Sequence, residues 1–102
     1  MPFLAICHDH PVAESKVIRE TQLQAHFAYI ETILDRVLVA GPVGDAPPDE
    51  FATSLFIYAV EDRDEAEQLL HGDPYFKAGL YGEVQIRPFL PAAGRWIGGT
   101  VW

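Results

Sequence analysis

Thr53-Ser54-Leu55-Phe56-Ile57-Tyr58-Ala59-Val60 is the stretch on which the fold turns. It is aromatic and β-branched, as strands are, and it is apolar on both faces: Leu55, Ile57 and Ala59 alternate with Phe56, Tyr58 and Val60. A strand with one wet face alternates apolar with polar residues; one that is apolar on both faces is covered on both. Two further runs repeat the pattern. Phe3-Leu4-Ala5-Ile6-Cys7 sets Phe3, Ala5 and Cys7 opposite Leu4 and Ile6, and Arg36-Val37-Leu38-Val39-Ala40 sets Val37 and Val39 opposite Leu38 and Ala40.

Between the first two strands, Ala13 to Leu34 contains no Pro or Gly. It carries Leu23, Phe27, Ile30 and Leu34 at spacings of 4, 3 and 4, with Ile33 broadening the stripe, and so predicts one long helix. Pro11 ends the first strand, because it has no N–H for a ladder, and Gly41-Pro42 is expected to stop the second. Val43 to Glu50 is rich in turn formers and is not expected to form a regular element, and the loop from Val43 to Phe51 reads as a lid. Asp62 with Glu65 three positions on resembles a capping box; the helix it opens runs to Leu70, with Gly72 as its C′ residue. Pro74 steers Asp73 out of the α region and fixes a bend, one further turn follows over Tyr75 to Leu80, and Glu83 to Arg87 alternates as a final strand. The order β-α-β-β-α-β is that of an α+β, ferredoxin-like sandwich with an antiparallel four-stranded sheet.

Two helices cover one face of such a sheet. The other face, with strands ~4.8 Å apart and ~17 Å long, has a planar area of roughly 300 Å², about as much as a monomer leaves bare. A second copy packed sheet to sheet is the simplest cover, and the sequence therefore predicts a homodimer.

With 102 residues the chain is sized for one domain, and its composition is globular, 49% hydrophobic and 22% charged. It contains 15 acidic against 7 basic residues, for a formal charge of −8. A phosphate backbone or anionic membrane surface is repelled by such a chain, so nucleic-acid and membrane partners are not expected. The acidic run Glu61 to Glu67 lies at a helix start, where it opposes the macrodipole, and reads as a solvated face. One cysteine, Cys7, forms no internal disulfide; with no apolar span and no secretory pattern at Met1-Pro2-Phe3-Leu4, a cytoplasmic protein is expected.

His26 follows Leu23 by three residues and precedes Ile30 by four, which places it on the border of the apolar stripe and aims it at the sheet. A lone helical histidine is more often a satisfied core residue than a catalyst; a neighbouring carboxylate changes the assessment by fixing its tautomer. Asp73 supplies such a carboxylate at a rigid bend, although chain spacing does not show that the two meet. Cys7-His8-Asp9-His10 lacks the spacing of a structural zinc site, so no metal is expected there, and no phosphate loop, nucleophile elbow or dinucleotide fingerprint is present, so no cofactor is expected. The segment from Pro91 to Trp102 carries Trp96, Ile97, Val101 and Trp102 around Gly98-Gly99. That is too apolar for a disordered tail, and it is expected to pack either on a neighbouring subunit, as a contact for a higher oligomer, or back on its own domain.

These residues resemble the YciI-like family (YCII-related domain) from the first strand through Pro88. The resemblance is carried by Asp9, by Arg19 seven residues before His26, by His26-Phe27-Ala28-Tyr29, by Ala40-Gly41-Pro42, by Asp73-Pro74-Tyr75-Phe76-Lys77-Ala78-Gly79-Leu80 and by Val84-Gln85-Ile86-Arg87-Pro88-Phe89. The family often has a second Arg where Leu23 stands, and a longer loop around Asp35. The resemblance implies a dimeric α/β barrel over residues 1–90, with 91–102 as a tail. It also implies a catalytic His–Asp pair, here His26 and Asp73, and places Tyr29 at a family motif position. Some relatives are linked to the breakdown of chlorinated aromatic intermediates.

Two readings follow. In one, an enzyme uses His26 and Asp73 for cofactor-free proton transfer, leading to isomerisation or elimination, with Arg19, Tyr29, Gly41, Pro42 and Tyr75 around the substrate. In the other, the same barrel binds a small ligand or an assembly partner without chemistry, lined by Phe56, Tyr58 and Tyr75.

Overall fold

A computed structural model describes residues 1–44 and 51–102 of the chain. Among them the main elements are β1 (Phe3–Asp9), α1 (Ala13–Thr32), β2 (Val37–Gly44), β3 (Phe51–Tyr58), α2 (Arg63–His71), the single turn α3 (Pro74–Lys77) and β4 (Tyr81–Pro88). Two short strands, β5 (Ala93–Gly94) and β6 (Gly99–Thr100), close the chain as a separate ribbon. The four long strands make one antiparallel sheet in the order β2-β3-β1-β4, so the expected α+β, ferredoxin-like arrangement is present. No helix among the described residues is long and apolar enough to cross a membrane.

The inner face of the sheet and the helices share one core. Ala5 and Cys7 of β1, Phe56 and Tyr58 of β3 and Ile86 of β4 are buried against Ile33 at the C-cap of α1, Ala66, Leu69 and Leu70 of α2, and Tyr75 and Leu80 beyond it. The outer face carries Leu4, Ile6, Leu55, Ile57 and Val39, all partly exposed, with Gln85 and Arg87 of β4 flanking Ile6 and Leu4. Alternation in β2 departs from the expectation: Val37 pairs with Tyr58 and Val39 with Ile57. An extra residue, Leu38, sits between them as a bulge, so the two valines point to opposite faces. Nor does Gly41-Pro42 stop β2, which continues to Gly44. Its only neighbour in the sheet is β3, and on an edge strand a proline's missing N–H leaves no partner unpaired. The proposed lid falls largely on residues 45–50, outside the described residues.

The stripe expected on α1 is rotated. Leu23 and Ile30 pack against the core, but Phe27 is 49% and Leu34 59% exposed. The inward centre line instead runs through Ser15, Arg19, His26 and Ile33, residues spaced by 4, 7 and 7 and therefore nearly eclipsed at 3.6 residues per turn. His26 thus stands at the middle of the inward face, not at its border. Three of these four positions are polar because this side of the helix overhangs a cleft as well as a core.

Asp62 caps α2 by accepting the Glu65 N–H at 2.9 Å, as the sequence pattern requires. Gly72 follows α2 for a different reason from the one expected. Its backbone is right-handed, with φ −76° and ψ −15°, so no left-handed cap demands glycine here. A Cβ at this position would lie 2.5 Å from the Tyr29 hydroxyl oxygen and 2.9 Å from its ring carbon. That hydroxyl donates to the Leu69 carbonyl at 2.6 Å, tying α1 to α2. Gly72→Ala should displace the phenol and cost about 1–3 kcal/mol, and Tyr29→Phe about 1 kcal/mol, both measured by urea unfolding.

Candidate active site

A cleft of about 1180 Å³ opens between α1 and the β2–β3 side of the sheet. It exists because α1 leans on α3 and leaves the far end of the sheet uncovered. Its floor is Ser54 and Phe56 of β3, Gly41 and Pro42 of β2 form one wall, and Arg19, His26 and Tyr75 form the other.

Asp73 is the anchor. Its side chain is wholly buried, and its φ of −70° and ψ of 130° are the extended values that a following proline imposes. One carboxylate oxygen accepts the Tyr75 backbone N–H at 2.9 Å and so caps α3, with Pro74 in the first-turn position that needs no N–H. The same carboxylate faces His26, whose Nδ1 lies 2.8 Å from Oδ2 and 2.9 Å from Oδ1. A carboxylate only accepts, so Nδ1 carries the proton, and the far edge of the ring presents Nε2 as the lone-pair nitrogen. His26 lines the cleft and its side chain remains 14% exposed. The ring is held on both flanks, stacked on Tyr75 at 4.2 Å between centroids and 13°, and edge-on to Phe56 at 6.3 Å.

Arg19 lies one ring further along the stack. Its guanidinium is 5.5 Å above Tyr75, and the Tyr75 hydroxyl donates to the Arg19 carbonyl at 3.3 Å. Nε and Nη2 of Arg19 donate to the two oxygens of Asp9 at 2.5 and 2.9 Å, and Nη2 also donates to Ser54 Oγ at 3.1 Å. Burial works against the charge of Arg19, but the hydrogen bond and attraction of Asp9 outweigh it and leave its pKa raised. Burial also raises the Tyr75 phenol, opposed by Arg19. The cleft therefore holds one ion pair, Arg19–Asp9, beside the hydrogen-bonded pair of His26 and Asp73.

Of the residues singled out from the sequence, His26, Arg19, Gly41, Pro42 and Tyr75 line this cleft, and Asp73 lies behind His26. Tyr29 is not among the lining residues. Its hydroxyl is spent on Leu69, and its phenol is raised mainly by burial. The cleft also contains Asp9 and Ser54, to which the sequence reading assigned no role. Ser54 had a signal, being a hydroxyl at an inward position of an otherwise apolar strand. Asp9 was marked by the family resemblance alone, since its partner comes from another element. His8 contacts Thr53 Oγ1 at 3.1 Å on the outer face, whereas His10 lines the cleft. No three His, Cys, Asp or Glu side chains converge among the described residues.

A family model for the YCII-related domain matches residues 1–90. The chain belongs to this family. Among relatives of this YCII-related chain, an uncharacterised protein of Haemophilus influenzae is 35% identical over 83 residues, 76% of each chain. The protein YciI of Escherichia coli is 30% identical over 93 residues, covering 84% of this chain and 95% of its own. A solved structure of 5-chloro-2-hydroxyhydroquinone dehydrochlorinase from Burkholderia phenoliruptrix AC1100, in complex with 2,5-dihydroxybenzoquinone, superposes with a TM-score of 0.79. It is 28% identical and covers 93% of this chain and 97% of that one.

Below the cleft, burial, reinforced by Asp73 and Asp9, pushes the Cys7 thiol from 9.0 up to about 12. Burial likewise raises the Tyr58 and Tyr81 phenols. All three stay neutral in the fold at a pH where the unfolded chain ionises. Their contribution is present in full below about pH 9 and is lost as pH climbs from there, because the unfolded state sheds protons that the native state retains. Urea midpoints should fall progressively above pH 9, and Cys7 should resist alkylation at pH 8 until the chain unfolds.

Proposed function

We propose that this protein is a small-molecule enzyme in which His26 Nε2 removes a proton from a hydroxylated ring substrate, with Asp73 orienting the imidazole. The observation that carries the reading is the pairing of His26 Nδ1 with a buried carboxylate at 2.8 Å while the other edge of the ring is left to a cleft. That is the geometry a general base requires. In an elimination from a chlorinated hydroxyhydroquinone, protonation of the chlorine-bearing carbon gives a keto tautomer. Nε2 then takes the proton of the hydroxyl para to that carbonyl, the O–H pair becomes a second carbonyl, the ring double bond shifts onto the chlorinated carbon, and chloride departs with its bonding pair to leave a quinone. In an isomerisation, Nε2 returns the same proton at another carbon.

The dehydrochlorinase with its bound dihydroxybenzoquinone supports a substrate of this kind. So does the lining. Phe56, Pro42 and the Tyr75 face suit a flat ring, and Ser54 supplies a hydroxyl at the floor. Arg19 is already forked by Asp9, and that favours a hydroxyl or carbonyl substrate over a carboxylate. The chemistry described uses no cofactor.

The dimer belongs to the same proposal. Leu4, Ile6, Val39, Leu55 and Ile57 form an apolar outer face, and two such faces packed together make a closed β interior with the helices outside. Sedimentation should give the mass of two chains, and Ile6→Lys, a charge at the centre of that face, should give one.

With chlorinated hydroxyhydroquinones as substrates and chloride release as the readout, His26→Ala should lose 10²–10⁴-fold in kcat, the usual span for a general base. Asp73→Asn preserves the cap but offers His26 a wrong or weaker partner; it should lose activity on a similar scale while destabilising the fold less than Asp73→Ala. Full turnover by the His26 variant would remove His26 from the reaction.

A further inference from the structure

The C-terminal ribbon is the largest apolar feature that the fold leaves unused. β5 and β6 pair Ala93 with Thr100 and Gly94 with Gly99, and the Val101 N–H donates to Ala92 at 2.9 Å. Between them Arg95–Ile97 makes one tight turn, ended by Gly98 in the left-handed conformation at φ 82°, which a side chain would resist. The ribbon is thus pre-shaped, yet among the described residues its apolar side chains stay bare: Trp96 is 87% and Trp102 82% exposed, and Leu90, Ile97 and Val101 are also exposed.

The cleft has the complementary deficit. At about 1180 Å³ it exceeds the roughly 300–1,000 Å³ that encloses a drug-sized ligand, and a single dihydroxybenzoquinone-like ring leaves most of it empty. Phe27 and Phe51 line it while remaining 49% and 44% exposed, so its mouth offers aromatic surface that the described residues leave uncovered. The ribbon does not cover its own cleft: the Phe89 N–H bonds Pro2 at the start of β1, and no residue from Leu90 to Trp102 is among those lining the cleft, which runs from Asp9 to Phe56 and Ala40.

We infer that the ribbon of one copy docks on the cleft mouth of a second copy, with Trp96 and Trp102 against Phe27 and Phe51, so that each site is completed by two chains. Charge agrees. Arg95 is the sole charged side chain from Leu90 to Trp102, and the charged lining of the cleft, Asp9, Glu20 and Glu31 against Lys16 and Arg19, is acidic on balance. Area agrees as well. Four indoles of a two-fold pair, exposed to 87% and 82%, supply roughly 500–850 Å², and with the matching cleft surface roughly 1,000–1,700 Å², the size of a specific interface. The inference deepens the proposed function by giving the substrate cavity its missing wall.

Both tryptophans of the chain lie in the ribbon, so indole fluorescence and acrylamide quenching report on its burial alone. The full chain should show shielded indoles. Phe27→Ser, at a helix position with little packing to lose, should expose them. A Phe27→Ser chain refolded with an excess of Trp96→Phe, Trp102→Phe chain should regain shielding, because the dark chain provides an intact cleft. Water-exposed indoles in the native protein, undiminished shielding in Phe27→Ser, or no recovery in the mixture would each overturn the inference. None of these readouts uses turnover, and His26→Ala, which tests the catalytic reading, should retain the shielded emission.

Discussion

Asp73 is a carboxylate with no access to water, and the chain satisfies it from two directions at once. Left alone, such a group costs several kcal/mol. Here the Tyr75 N–H and the His26 ring each supply a hydrogen bond. One comes from the turn that Asp73 itself caps, the other from a helix 47 residues earlier in the chain. Satisfying one buried charge therefore joins α1 to α3, sets the rotation of α1 and fixes which histidine nitrogen carries a proton. The stack of His26 on Tyr75 and of Arg19 over the same ring is built on that joint.

Because α1 is clamped against α3, it stands clear of β2, and the gap becomes a cleft. The cost is visible in its amphipathicity: the inward line carries Ser15, Arg19 and His26 where a purely structural helix would carry aliphatic residues. Within the cleft the Arg19 guanidinium is already forked by Asp9, while Lys16 also lines it.

Legibility varied with the range of the interaction. The strands at Phe3 to Cys7 and around Leu55 to Tyr58, the Asp62 cap and the bend at Asp73-Pro74 all rest on local chemistry and were readable. The facing of α1 was not: Phe27 and Leu34 complete a plausible apolar stripe, and only the pull of Asp73 on His26 turns them outward. Pro42 looks like a stop because its missing N–H matters in a central strand, and β2 proves to be an edge. Gly72 looks like a left-handed cap, but its smallness makes room for Tyr29, a neighbour invisible to any local rule. Val37 and Val39 appear to share a face until Leu38 bulges.

By itself, then, the sequence determined the elements, their order, the acid balance and the apolar character of the outer sheet face, since periodicity, proline, glycine and caps act over a few residues. Tertiary structure alone decided that His26 meets Asp73, that Asp9 forks Arg19 over Ser54, and that Tyr29 serves packing. Those pairings join residues 10 to 47 positions apart, and no local pattern encodes which distant partner will offer a buried charge its hydrogen bond.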